Sequence, residues 1–93
     1  MKIKKRQHEN NPAQFWFHCP GCGFSHSFGE SWSFNGDYDN PTISPSILVT
    51  APGRDNYRCH SFIKNGQIQF LKDCTHNLAG QTVELPEYNE AGE

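Results

Sequence analysis

Cys19-Pro20-Gly21-Cys22 sets two thiols two residues apart around a Pro-Gly turn. That spacing lets one turn aim both sulfurs at a single ion, and the small residues between them leave backbone N–H groups free to bond the sulfurs. A redox dithiol uses the same spacing, but it wants its first thiol at a helix N-terminus in a βαβ setting. Here strand-like sequence lies on both sides. Metal is therefore the preferred reading, and one zinc ion is the default for thiolate and imidazole donors.

A tetrahedral site needs two more ligands. The candidates come in two local groups, Cys59-His60 and Cys74-Thr75-His76. Adjacent residues on a regular strand point to opposite faces, so Cys59 and His60 reach one ion together only across a bulge. Cys74 and His76 are two apart and can face the same way. Four cysteines on one zinc is the simplest arrangement. A small buried hydrophobe is the plainer role for any one cysteine, and Cys74, after an apolar run, suits it best. His26 stays open as a ligand, a donor to a ligand or a reacting group. His8 carries no assigned role.

An open coordination position would hold a water and make hydrolysis the natural chemistry. His26, His60 and His76 would then supply acid or base, with Asp73 and Glu30 as carboxylates. Thr42, Ser44 and Ser46 in "NPTISPS" offer hydroxyls to orient a substrate. His26, Asp73 and Ser44 are the candidate catalytic residues of that reading. Ser and Thr also satisfy turn backbones, which is the plainer role for this loop. No His-Glu-x-x-His, deaminase signature, Gly-x-Ser-x-Gly or phosphate-binding glycine loop occurs. "DYDN" lacks the glycine and closing glutamate of a calcium loop.

The elements that must position these groups read as short strands. "QFWFH" (14–18) and "FSHSF" (24–28) flank the thiol turn as a hairpin, and "SWSF" (31–34) alternates in the same way. "SILVT" (46–50) is β-branched, and "APGRDN" (51–56) is a turn. "YRCHSFI" (57–63) and "IQFL" (68–71) flank Asn65-Gly66, a type I′ hairpin signal. "CTHNLAG" can make a helical turn with Thr75 as cap and Gly80 as stop. "TVEL" (82–85) is a last strand. The expected fold is mainly β (small α+β), built of zinc-ribbon-like hairpins with at most a short helix near 75–80. Residues 1–12 read as a flexible basic tail, 13–86 as one zinc-stabilised domain and 87–93 as an acidic tail.

Ninety-three residues with 34% hydrophobic content make a marginal core, and small domains of this kind often need a staple. No apolar run spans a membrane, and the charged start lacks the core of a secretory signal. The expectation is a reducing cytoplasm, where four cysteines bind metal rather than bridge. Net charge is −2, which does not suggest a chain held to nucleic acid by bulk charge. Two Trp, three Tyr and seven Phe supply both a core and material for an interface.

The succession of CPGCG-x-x-H, WSFNGD, PTISPS, CHSFI-x-NG-x-IQFL and DCTH-x-LAGQTV-x-LP resembles a family of small domains of unknown function found mostly in bacteriophages and prophages. It covers roughly residues 15–86. The resemblance implies a phage-encoded accessory protein in the host cell cytoplasm and supplies no activity; the size and charge of the chain fit a zinc-binding module that binds and modulates a host protein. Some members carry the label ammonia monooxygenase, which no membrane segment or copper site here accompanies. The resemblance also raises His60 as a ligand, so that the metal set becomes Cys19, Cys22, Cys59, His60 and His76. The sequence-level expectation is thus a binding module with structural zinc. A zinc-dependent hydrolase is the alternative.

Overall fold

Period-two patterning marks the hairpin strands of the fold, β3 and β7 most plainly. The computed structural model describes residues 1–7, 9–51 and 53–88, and among these it contains strands and turns but no helix. The strands are β1 (Lys4–Arg6), β2 (Gln14–His18), β3 (Ser25–Phe28), β4 (Ser33–Phe34), β5 (Ile43–Ala51), β6 (Arg54–Lys64), β7 (Gln67–Phe70) and β8 (Thr82–Glu84). One antiparallel sheet runs β1-β2-β3 and a second runs β4-β5-β6-β7-β8.

Inward residues alternate as a half-buried strand requires. In β7, Ile68 and Phe70 are buried while Gln67 and Gln69 are exposed. In β6, Cys59, Ser61 and Ile63 point inward. Phe17 and Phe28 from the first sheet, with Ile3 just before β1, share one core with Ile43, Ile47, Ile63, Ile68 and Phe70 from the second. Each such side chain contributes about 1.5–3 kcal/mol on full burial.

Two turns follow their sequence signals. In the β2–β3 hairpin the Cys19 N–H donates to the Phe24 carbonyl at 3.1 Å and the Gly23 N–H to the Cys19 carbonyl at 2.9 Å. The β6–β7 hairpin closes on Asn65 and Gly66, at φ 51° and 80°, the paired positive angles of a type I′ turn.

The N-terminus departs from expectation. Residues 1–7 do not form a loose tail: β1 pairs with β2, Ile3 is fully buried, and Lys2 is buried with its ammonium on the Glu84 carboxylate and the Gly66 carbonyl. Ile3 is an apolar anchor among the lysines, and it overrides the charge run. At the other end the Tyr88 N–H donates to the Met1 carbonyl at 2.8 Å. His8 and residues 89–93 of the expected acidic tail lie outside the described residues.

The expected helix at 75–80 is a series of turns instead. The Thr75 N–H donates to the Arg58 carbonyl at 2.8 Å, which ties the segment to β6 as an added strand would be. The following bonds, Ala79 N–H to the His76 carbonyl and Gln81 N–H to the Leu78 carbonyl, close turns three residues apart. β5 also carries an irregularity: Ile43 pairs with Ile63 and Ile47 with Ser61, so four steps on β5 oppose two on β6. The extra residues include Ser44, Pro45 and Ser46, and bulges of this kind re-aim side chains.

Candidate active site and metal centre

β6 presents two sets of reactive groups, one on each face. Inward, Cys59 meets Cys19 and Cys22 from the hairpin turn and His76 from the segment after β7. One potential ligand atom from each lies within 4.8 Å of all the others. The Cys19 and Cys59 sulfurs are 3.8 Å apart, and all four cysteines of the chain are free thiols.

Only one of the three close thiols, Cys19, is held below its ordinary value. A hydrogen bond from Cys59, together with the facing His26, pushes the Cys19 thiol down to about 4. Cys59 is pushed up as the donating partner. Burial pushes Cys22 up, although the Tyr57 hydroxyl donates to its sulfur at 2.6 Å. Full ionisation of three such close sulfurs requires a compensating positive charge.

Two further observations fit an ion. The buried His76 Nε2 has no hydrogen-bond partner, as expected of a nitrogen reserved for a metal. Gly21 leaves room for that ring, because a Cβ there would lie 2.3–2.6 Å from its atoms. The Leu78 N–H approaches His76 Nδ1 at 3.2 Å; an ion on Nε2 would place the ring proton on Nδ1 and loosen that contact. Three sulfurs and one imidazole make a complete tetrahedral donor set, which is the mark of a structural rather than a catalytic metal.

Outward, His60 lies between a hydroxyl and a carboxylate. Its Nε2 is 2.9 Å from Ser46 Oγ and its Nδ1 is 3.2 Å from Asp73 Oδ2. The Arg58 guanidinium donates to the same Asp73 oxygen at 3.3 Å. Desolvation opposes ionisation of Asp73, but hydrogen bonds from His60, its own backbone and Arg58 outweigh it and hold the carboxyl below its ordinary value. A carboxylate only accepts, so His60 carries its proton on Nδ1. Nε2 is then the bare nitrogen, positioned to accept the Ser46 hydroxyl proton.

Local folding sets these three groups. The β5 bulge brings Ser46 to the outer face, while Ile47 stays buried. His60 is held through its backbone: its N–H donates to Cys74 Sγ, and the Cys74 thiol donates to its carbonyl, both at 3.2 Å. The Arg58 N–H donates to Thr75 Oγ1 at 3.0 Å, which fixes the segment that carries Asp73.

Of the residues singled out from sequence, Cys19, Cys22, Cys59 and His76 come together. His60 does not join them, because it follows Cys59 on a regular stretch of β6 and faces the other way. Cys74 is a buried thiol against the His60 backbone. His26 is buried beside Cys19, edge-on to Phe17 and Phe24, and Ser44 is exposed on the bulge. Only Asp73 of the trio His26, Asp73 and Ser44 lies in the outer constellation. Thr42 Oγ1 accepts the Asn65 N–H at 2.9 Å and serves the hairpin turn. The sequence reading missed Ser46 as His60's partner. Strand alternation, which separates His60 from Cys59, was the available signal.

A serine–histidine–carboxylate line on one face and a Cys3His cluster on the other set the terms for comparison. The family model that matches residues 2–71 is described as "Bacterial ubiquitination-like system serine protease (BubE)". The chain belongs to this family. The BubE match takes in Ser46, His60 and the three clustered cysteines, and it ends before Asp73 and His76. Phage origin is no part of that description. Searches of curated proteins and of solved structures give no match. Among the described residues, no helix is long and apolar enough to cross a membrane.

Proposed function

We propose that the protein is a serine hydrolase of a bacterial ubiquitination-like system that cleaves a peptide bond, with a structural zinc ion behind the active strand. The observation that carries this reading is the continuous line Ser46 Oγ, His60 Nε2, His60 Nδ1, Asp73 Oδ2, with links of 2.9 and 3.2 Å. The BubE description supports the reaction class.

Ser46 acts as nucleophile. As Oγ attacks the scissile carbonyl, its proton passes to His60 Nε2. The same proton then goes to the leaving amine, and the acyl group stays on Ser46. His60 next takes a proton from an attacking water and returns it to Ser46 Oγ as the ester C–O bond breaks, which frees the acid and restores both residues. Asp73 fixes the ring tautomer and stabilises the imidazolium, and Arg58 keeps Asp73 charged. A zinc ion would be held by Cys19, Cys22, Cys59 and His76 and would supply structural cross-linking. The zinc-dependent hydrolase weighed from sequence would need an open position, and four protein donors leave none.

A fluorophosphonate that labels activated serines tests the assignment. Mass spectrometry should find one adduct on Ser46, retained in Ser44→Ala and lost in Ser46→Ala and His60→Ala. An adduct on Ser44, or no adduct on a folded, metal-loaded protein, counts against it.

A further inference from the structure

We infer that the groove between β3 and β5 binds an extended, apolar segment of the substrate as an added strand; this inference rests on Ser46 being the nucleophile. β3 is the end strand of its sheet, and β4 covers β5 only at Ile43 and Ser44. Among the described residues, the β5 edge from Ile47 onward therefore has no ladder partner on the side away from β6. Such an edge offers N–H and C=O groups that template another chain.

The groove is shallow and open, encloses about 400 Å³, is lined by Ser25–Ser27 of β3 and by Leu48–Thr50 of β5, and begins two residues after Ser46. A chain paired with β5 there leads straight to the nucleophile. Its lining is the second observation. Three large apolar side chains are notably exposed among the described residues, and two of them, Phe24 at 46% and Leu48 at 50%, lie in this groove. Leu48 is also the cross-strand partner of His60, so it stands on the catalytic face. The third feature is Trp16, which lines the groove and whose shielded Nε1 donates to no acceptor. Side chains of an added strand alternate, so every second substrate residue would meet Leu48 and Phe24 while main-chain bonds supply the rest.

The metal-loaded Ser46→Ala protein isolates binding from catalysis. It would be titrated with acetyl-Thr-Leu-Thr-Leu-Thr-Leu-amide and with the Gly-Ser hexapeptide of equal length, and backbone amide exchange would be followed residue by residue. The Leu peptide should bind saturably, slow exchange in residues 47–50 and 25–28, and bind at least tenfold tighter than the Gly-Ser control. Adding Leu48→Asp should weaken it at least tenfold, with Leu48→Ser as the milder substitution if the first disturbs the fold. No binding at millimolar peptide, equal binding of the control, or protection confined to other strands overturns the groove. Fluorophosphonate labelling of the unmutated protein tests Ser46 separately, so failure of the groove and failure of the nucleophile remain distinguishable.

Discussion

Cys59 and His60 are consecutive residues of β6, yet Cys59 belongs to the Cys3His cluster and His60 to the serine–histidine–carboxylate line. A second segment divides in the same way: Asp73 and His76 sit at opposite ends of one four-residue segment and serve the two sites in the reverse order. Strand alternation makes this arrangement possible, since one rigid backbone delivers each group to its own face. It also makes the outer site depend on the inner one.

Metal removal should therefore abolish the outer chemistry without any contact between ion and substrate. Binding free energy in structural zinc sites is about 10–16 kcal/mol, as large as the ~5–15 kcal/mol stability of a whole domain. A chelator should remove one ion per chain, eliminate the cooperative thermal transition and prevent labelling of Ser46. A chelated protein that keeps its melting transition would show that the cluster is not a structural staple.

Gly21 should be intolerant of a methyl group. A Cβ there would lie 2.3–2.6 Å from atoms of the His76 ring, so the ring would have to shift away from the sulfurs. Gly21→Ala should lose metal at chelator concentrations the parent survives. Gly29→Ala is the control, because its Cβ would meet nothing within 4 Å and its φ is not in the left-handed region. Equal metal retention in both variants would exclude His76 from the cluster as described.

Asp73→Asn should leave the melting temperature nearly unchanged and lower the rate of Ser46 acylation by roughly 10⁴, because an amide no longer enforces the Nδ1 tautomer. Arg58→Ala removes only an auxiliary donor to Asp73 and should cost far less. Kinetics of fluorophosphonate labelling measure both. If the two substitutions had equal effects, Asp73 would act as a surface ion-pair partner rather than as the group that orients His60.

Cys74 and Cys19 should separate cleanly. Cys74→Ala should retain one metal ion per chain, since its sulfur bonds the His60 backbone and is not in the cluster. It should still weaken labelling of Ser46 by letting the His60 backbone shift. Cys19→Ser should lose the ion and the fold together. Metal content by elemental analysis decides this, and a metal-free Cys74→Ala protein would place Cys74 among the ligands.

Much of this was legible from local sequence signals. The Cys-Pro-Gly-Cys hairpin, the Asn65-Gly66 turn and the opposite facing of Cys59 and His60 follow from chemistry within a few residues. Ser46 was harder, because its orientation depends on a bulge defined by the pairing of β5 with β6. The partnership of His60 and Asp73 depends on the tie of residues 74–75 to β6, which spans 14 to 17 residues. The resemblance to other small zinc proteins drew His60 toward the ion, whereas alternation alone would have kept it away. The helix at 75–80 failed for the same long-range reason: bonds to β6 and the reach of His76 outweigh a favourable cap.

The N-terminal strand should behave as part of the core. Ile3→Ala should destabilise the domain by about 2–5 kcal/mol, the usual cost of truncating a fully buried aliphatic side chain. Its neighbour Lys2 adds a pH signature. A hydrogen bond and charge from Lys2 hold the Glu84 carboxyl below its ordinary value. A carboxyl whose folded pKa is depressed stabilises the fold above its unfolded value of about 4.3, and that contribution disappears as pH falls through the lower folded value. Lys2→Met should therefore flatten the acid limb of the stability profile below about pH 4.3 while preserving burial of the side chain. Denaturant titrations from pH 7 to pH 3 measure the slope, and identical slopes in Lys2→Met and the parent would mean that solvent screens the pair completely.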